Sequence, residues 1–186
     1  MHLTSLFDLS LLGRAGRAGL DYTDRSGGSH TLTFGQIEAR ANQMAHELEA
    51  RGLNRGDRLC VHLANRVEFI DLFLACTRLG VIFVPMNVLY RERELRHIVT
   101  DSDPKAIVTA SGSDAVYPDG FALWPVEDVR ASADSRPTAR VLEALDGDSP
   151  AHRPRRRSAC GGCPRRRNSR SPAVPHGRRV RDRKAE

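Results

Sequence analysis

The chain has 186 residues, with Lys+Arg 29 against Asp+Glu 23 and a formal net charge of +6. That average joins two unlike segments: residues 151–186 hold twelve Arg, one Lys, one Asp and one Glu, net +11, which leaves residues 1–150 at net −5. A uniformly basic protein is therefore excluded, and four cysteines argue against a disulfide scaffold. The best membrane candidate, residues 69–85, contains Asp71, Arg78 and Gly80 and falls short of the ~20 apolar residues a bilayer requires. Residues 1–12 carry Asp8 and no basic start, unlike a secretory leader. The expectation is a soluble cytoplasmic protein.

Residues 1–150 are long enough for one core. Leu6, Leu9 and Leu12 recur at helical spacing over residues 5–17, until Gly13 and Gly16 weaken the pattern. Two short extended runs, 20–24 and 30–33, flank Ser26-Gly27-Gly28-Ser29 and predict a hairpin. The clearest helix covers 33–51. Thr33 and Gln36 form a capping box, each satisfying an orphan N–H, and Ile37, Ala41, Met44, Ala45 and Leu48 make one apolar stripe. Gly52 supplies its stop.

Residues 58–63 read as a strand with Leu59, Val61 and Leu63 inward and Arg58, Cys60 and His62 outward or shielded. Asn65 is the expected cap of a heavily buried helix over 67–79, which Gly80 ends. A strand at 81–84 stops at Pro85, a helix follows over 92–100, and Pro104 separates it from a strand at 105–109. Beyond Thr109 the pattern fades to a weak strand at 121–125 and a short helix at 139–145. Strands alternating with helices predict the α/β class, a parallel sheet with helices packed on it.

Chemistry-bearing motifs are sparse. The turn Ala64-Asn65-Arg66 has no glycine, which argues against a dinucleotide fold. Ser111-Gly112-Ser113 follows a strand but lacks the lysine and spacing of a phosphate loop, and reads as a surface loop. Cys60 and Cys76 read as buried structural thiols, and His62 and His97 as ordinary packed or surface residues. Cys160-Gly161-Gly162-Cys163 has the spacing of half a zinc site, but His152 and His176 are the nearest further ligands and neither is paired. We expect no catalytic, cofactor-binding or metal residue in this chain.

An ordered set of landmarks carries a family resemblance. It runs from Thr31-Leu32-Thr33-Phe34 and Ala41-Asn42-Gln43-Met44-Ala45 through Gly52, Gly56, Asp57 and the Leu63, Asn65, Glu68, Phe69 step. It continues with Leu74-Ala75-Cys76, Leu79-Gly80, Val84-Pro85-Met86-Asn87, Arg93-Glu94-Leu95, Ile98, Ser102 and Pro104-Lys105. Together these resemble the N-terminal part of acyl-CoA synthetases of the adenylate-forming, AMP-binding superfamily. The resemblance implies the first subdomain of the large N-terminal domain, a partial parallel sheet with packed helices. It also implies the intact family's reaction, in which ATP and Mg convert a carboxylic acid to an acyl-adenylate and CoA takes the acyl group. The family's phosphate loop, threonine–glutamate motif, ribose-binding aspartate and mobile-domain lysine have no match in this sequence. The fragment alone is expected to be inactive and to need no cofactor.

Asp146-Gly147-Asp148-Ser149-Pro150-Ala151 resembles the lead-in to that phosphate loop, but His152-Arg153-Pro154-Arg155-Arg156-Arg157 follows. Of the last 36 residues, 26 are Arg, Pro, Ala, Gly or Ser, the composition of GC-rich coding DNA read in a wrong frame. So few apolar residues do not offset roughly 1–2 kcal/mol of backbone ordering per residue, and the tail is expected to be disordered. The expected layout is a truncated synthetase domain over 1–150 and a basic Arg/Pro-rich tail over 151–186, with a frameshift as the expected origin of the tail. The alternative is a non-catalytic binding protein whose basic tail contacts nucleic acid or another polyanion, nonspecifically and with strong salt dependence. A lone first subdomain also leaves apolar surface uncovered, which predicts marginal stability or self-association.

Overall fold

A computed structural model of the chain describes residues 13–24 and 26–140. The chain divides into two units, Met1–Leu145 and Asp146–Glu186, and every described residue belongs to the first. The helix expected at the N-terminus, apart from its last residues, and the basic tail with Cys160, Cys163, His152 and His176 lie outside the described residues.

Two strands, β1 (Ala18–Thr23) and β2 (Ser29–Thr33), form the expected antiparallel hairpin. Asp24 staples its turn, its Oδ1 accepting from Ser26 N at 2.9 Å and Gly28 N at 2.8 Å. Helix α1 (Phe34–Ala50) begins at the capping box: Gln36 N donates to Thr33 Oγ1 at 3.2 Å, and Thr33 N donates to Gln36 Oε1 at 2.8 Å. Its predicted stripe is fully buried at Ala41, Met44, Ala45 and Leu48.

Then β3 (Arg58–His62), α2 (Val67–Leu79), β4 (Ile82–Pro85), α3 (Glu92–Ser102), β5 (Ala106–Thr109), β6 (Ala122–Pro125) and α4 (Val126–Ala133) follow in order. The last four strands form one parallel sheet in the order β4-β3-β5-β6. The chain steps from β3 out to β4, then crosses back over β3 to β5. Right-handed crossovers in opposite directions place their helices on opposite faces. Accordingly Leu59, Val61, Ala106 and Val108 pack beneath α1, α2 and α4, with Met44, Leu48, Leu72, Ala75, Val126 and Val129. On the other face Cys60 and Ile107 pack beneath α3, with Leu95 and Val99. Phe69 and Phe73 of α2 meet Phe83 edge-on, with ring centroids 5.1 Å and 5.6 Å apart.

Both outer strands of the sheet end in proline, at Pro85 and Pro125. A residue without an N–H is tolerated at a sheet edge and not in its middle. Trp124 on the outer strand β6 carries the Arg51 guanidinium over its ring, 5.3 Å from the centroid.

Two expectations need correction. Asn65 does not cap α2: the helix begins at Val67 as expected, but Arg66 takes the cap position with no side-chain hydrogen bond, and Asn65 is exposed. Of the positions read as outward or shielded, Cys60 and His62 are shielded: α3 and the loop after β5 cover that face, so Cys60 is fully buried, as expected, and His62 nearly so. A helix, α4, stands where the pattern seemed to fade, because Val126, Val129 and Ala133 make an apolar stripe only two turns long.

Gly80 ends α2 as expected. It is left-handed at φ 67°, and a Cβ there would lie 2.8 Å from Arg55 Cγ. Both facts favour glycine. Among the described residues no helix is long and apolar enough to cross a membrane.

Candidate functional site

In an open α/β sheet, ligands favour the crevice at the carboxyl ends of strands where the winding direction reverses. Here that point lies between β3 and β5, and the side chains that end those strands are His62 and Thr109. His62 Nδ1 lies 2.7 Å from Tyr117 Oη, and its Nε2 lies 3.1 Å from the Asn87 carbonyl oxygen. Tyr117 Oη also lies 3.0 Å from Thr109 Oγ1, and the two rings meet edge-on with centroids 5.8 Å apart. Burial lowers the His62 pKa, opposed by the Asn87 carbonyl. Burial raises the Tyr117 pKa, opposed by hydrogen bonds to Thr109 and Ser113.

Ser111-Gly112-Ser113 follows β5, as the sequence indicates, and the polar groups of Ser111 are committed to a carboxylate. Ser111 N and Oγ both donate to Glu127 Oε2, at 2.9 Å and 2.8 Å. The N–H that a phosphate would seek already faces a negative charge. Burial pushes the Glu127 carboxyl up, but Arg66 and Ser111 outweigh it and hold it down at about 2.

A second concavity, about 410 Å³, lies between β1 and the start of α2, lined by Leu20, Tyr22, Arg66, Val67, Phe69 and Ile70 among others. Nearby, Arg40 of α1 donates to Asp71 of α2 from Nη2 at 2.6 Å and Nε at 3.2 Å. Arg130 of α4 stands 4.0 Å from the same carboxylate. Asp71 is 1% exposed, and this buried charge joins three helices. Arg66 links Glu68 at 2.7 Å with Glu127 at 2.8 Å, tying α2 to α4.

Cys60 and Cys76 are free, buried thiols. Burial pushes Cys76 up to about 12 and raises Cys60 as well, so neither is poised as a nucleophile. His97 is exposed on α3. No cluster of His, Cys, Asp or Glu suited to a metal ion exists among the described residues. The connected His62–Tyr117–Thr109 group was not foreseen. Only the strand-end positions of His62 and Thr109 hinted at it, since Tyr117 arrives from a loop without periodicity.

The parallel α/β layer matches the first part of an adenylate-forming N-terminal domain. The AMP-binding enzyme family model matches residues 14–170, and the chain belongs to that family. Among curated proteins, it is 33% identical over 137 residues to the long-chain-fatty-acid–CoA ligase FadD13 of Mycobacterium tuberculosis, covering 70% of this chain and 25% of that protein. A 3-oxocholest-4-en-26-oate–CoA ligase of Rhodococcus rhodochrous is 32% identical over 77 residues, 41% of this chain and 14% of its own length. Among solved structures, O-succinylbenzoate coenzyme A synthetase (MenE) of Bacillus subtilis, in complex with AMP, superposes with a TM-score of 0.60 at 26% identity. That match covers 67% of this chain and 32% of the other. The chain thus spans about a quarter or less of the length of these curated relatives.

Proposed function

We propose that this chain is the opening portion of an adenylate-forming acyl-CoA synthetase, and that it contributes scaffold rather than reacting groups. One observation chiefly supports this reading: several charged and polar side chains near the strand ends and helix starts are committed to one another. Arg40–Asp71, Arg66–Glu127 and Ser111–Glu127 join elements of the layer instead of converging on an open site. In the parent enzyme, the remaining chain would supply the groups that grip ATP and Mg, and CoA would accept the acyl group. The relatives' names point to fatty acids or steroid side-chain acids as the substrate class.

The frameshift reading belongs with this proposal. The family match runs on to residue 170, past the change in composition at 151. We keep the boundary at 150 because residues 151–170 contain no Leu, Ile, Val, Phe, Tyr or Trp to build a strand ahead of a phosphate loop. Reading the coding DNA in its other two frames after codon 150 should yield a glycine- and threonine-rich loop and a long continuation. Two frames without it would end the frameshift reading.

Inactivity is tested by ATP–pyrophosphate exchange with the purified full chain and a panel of carboxylic acids. The expected result is no acid-dependent exchange; acid-dependent exchange would overturn the proposal. A second reading, a polyanion-binding arm, is favoured by the net +11 of residues 151–186. It requires that removing 151–186 abolish binding to a specific partner, and unaltered binding would refute it.

A further inference from the structure

At the carboxyl end of the sheet an imidazole is buried with no carboxylate contributing to its titration. His62 is 6% exposed, and its partners are the Tyr117 hydroxyl, from the loop after β5, and the Asn87 carbonyl, from the loop after β4. We propose that His62 and Tyr117 form a proton-sensitive latch that holds the loop of residues 110–121 over the carboxyl ends of β3 and β5.

The hydrogen-bond directions follow from the partners. The Asn87 carbonyl only accepts, so Nε2 carries a hydrogen, and in neutral His62 Nδ1 is then an acceptor. In the structure Tyr117 gives its one hydrogen to Thr109 Oγ1; to meet a neutral, accepting Nδ1 it turns that hydrogen to the imidazole, and the Thr109 hydroxyl then donates in return. Protonation at Nδ1 reverses this chain: Nδ1–H must donate to Tyr117, and Tyr117 must turn to Thr109. Every hydrogen bond has a replacement, but burial outweighs the Asn87 carbonyl, the one group that favours the new charge in its titration.

Thr109 faces the imidazole from β5, Tyr117 with Ser113 from the loop, and the Asn87 carbonyl from beyond β4. The buried Cys60 thiol interacts with Tyr117 and lies 3.4 Å from Ser102 of α3. The loop itself is mostly exposed, with Tyr117, Ala115 and Phe121 as its half-buried anchors against the core beneath α3. Opening it is the simplest way to return His62 to water.

The linkage has a definite sign. With the loop closed, burial holds His62 below its ordinary value; with the loop open, His62 titrates near ~6.5. The latch is therefore at full strength above that value and weakens as pH falls. The opening constant rises up to about tenfold per pH unit until the closed-state pKa is passed.

Hydrogen–deuterium exchange of the full chain from about pH 4.5 to 7.5 tests this, with rates corrected for the intrinsic pH dependence of exchange. Protection of peptides within 110–121 should fall in acid while that of peptides from α1 holds. His62→Gln keeps a donor and an acceptor without a titration, and should flatten the profile. Tyr117→Phe should weaken protection of the loop across the whole range. A pH-independent loop in the parent chain, or an unchanged slope in His62→Gln, overturns the latch. If His62→Gln does not fold, an NMR titration of the parent chain's imidazoles decides instead. A His62 pKa at or above the ordinary value refutes the proposal, and one below it supports it.

Discussion

Asp71 is the side chain whose removal should be felt most widely. Its carboxylate is 1% exposed, accepts two hydrogen bonds from Arg40, and lies 4.0 Å from Arg130 Nη1, a buried nitrogen with no hydrogen-bond partner. Asp71→Ala removes the negative charge and leaves both guanidiniums in place. Breaking a fully buried pair in this way costs about 3–5 kcal/mol. The Arg40 side chain is 23% exposed and Arg130 14%, so each keeps some access to water, which places the expected loss near 3 kcal/mol. Asp71→Asn, which retains an acceptor, should lose less, about 1–2 kcal/mol. The double change Arg40→Met with Asp71→Leu should recover part of the loss by packing apolar groups between α1 and α2. Urea denaturation followed by far-ultraviolet circular dichroism measures all three. A loss below about 1 kcal/mol for Asp71→Ala would show that water reaches this junction and that the ion pair does not join the helices.

Other outcomes follow from single sites. Gly80→Ala combines a left-handed backbone with a clash at Arg55, and should lower stability by at least about 1 kcal/mol in the same denaturation; an unchanged midpoint would refute that. Leu48→Ala empties a fully buried site beneath the sheet and should lower stability by about 2–5 kcal/mol. Glu127, held at about 2 in the fold, stabilises fully above its ordinary value of 4.5 and progressively less as pH falls toward 2. Glu127→Gln should therefore reduce the acid sensitivity of unfolding between those limits, and an unchanged acid profile would contradict the assignment.

Most of the layer was legible because its signals are local. The Thr33–Gln36 box, the Ala41–Leu48 stripe and the Gly80 stop each act within a few residues, and each appears where the sequence places it. Strand β6 was legible only faintly: Ala122 and Leu123 are exposed, so its pattern lacks the buried run that marks β5. Helix α4 was missed, although Glu127 and Asp128 in its first turn were a usable start signal. Its short stripe gains its meaning from α1, against which it packs. Whether His62 is packed or at the surface stays open in the sequence for a related reason. A strand buried on both faces loses its alternation, and only the placement of α3 and Tyr117 reveals it.

The Arg51–Trp124 contact makes the chain its own optical gauge. The protein has one tryptophan, and a cation from the end of α1 sits over it. Its emission will therefore report a single event: the return of the outermost strand to the end of the first long helix. Local helix formation elsewhere leaves that event dark. A burst of helical ellipticity before any change in emission would time the assembly of the pieces separately from the closing of the layer.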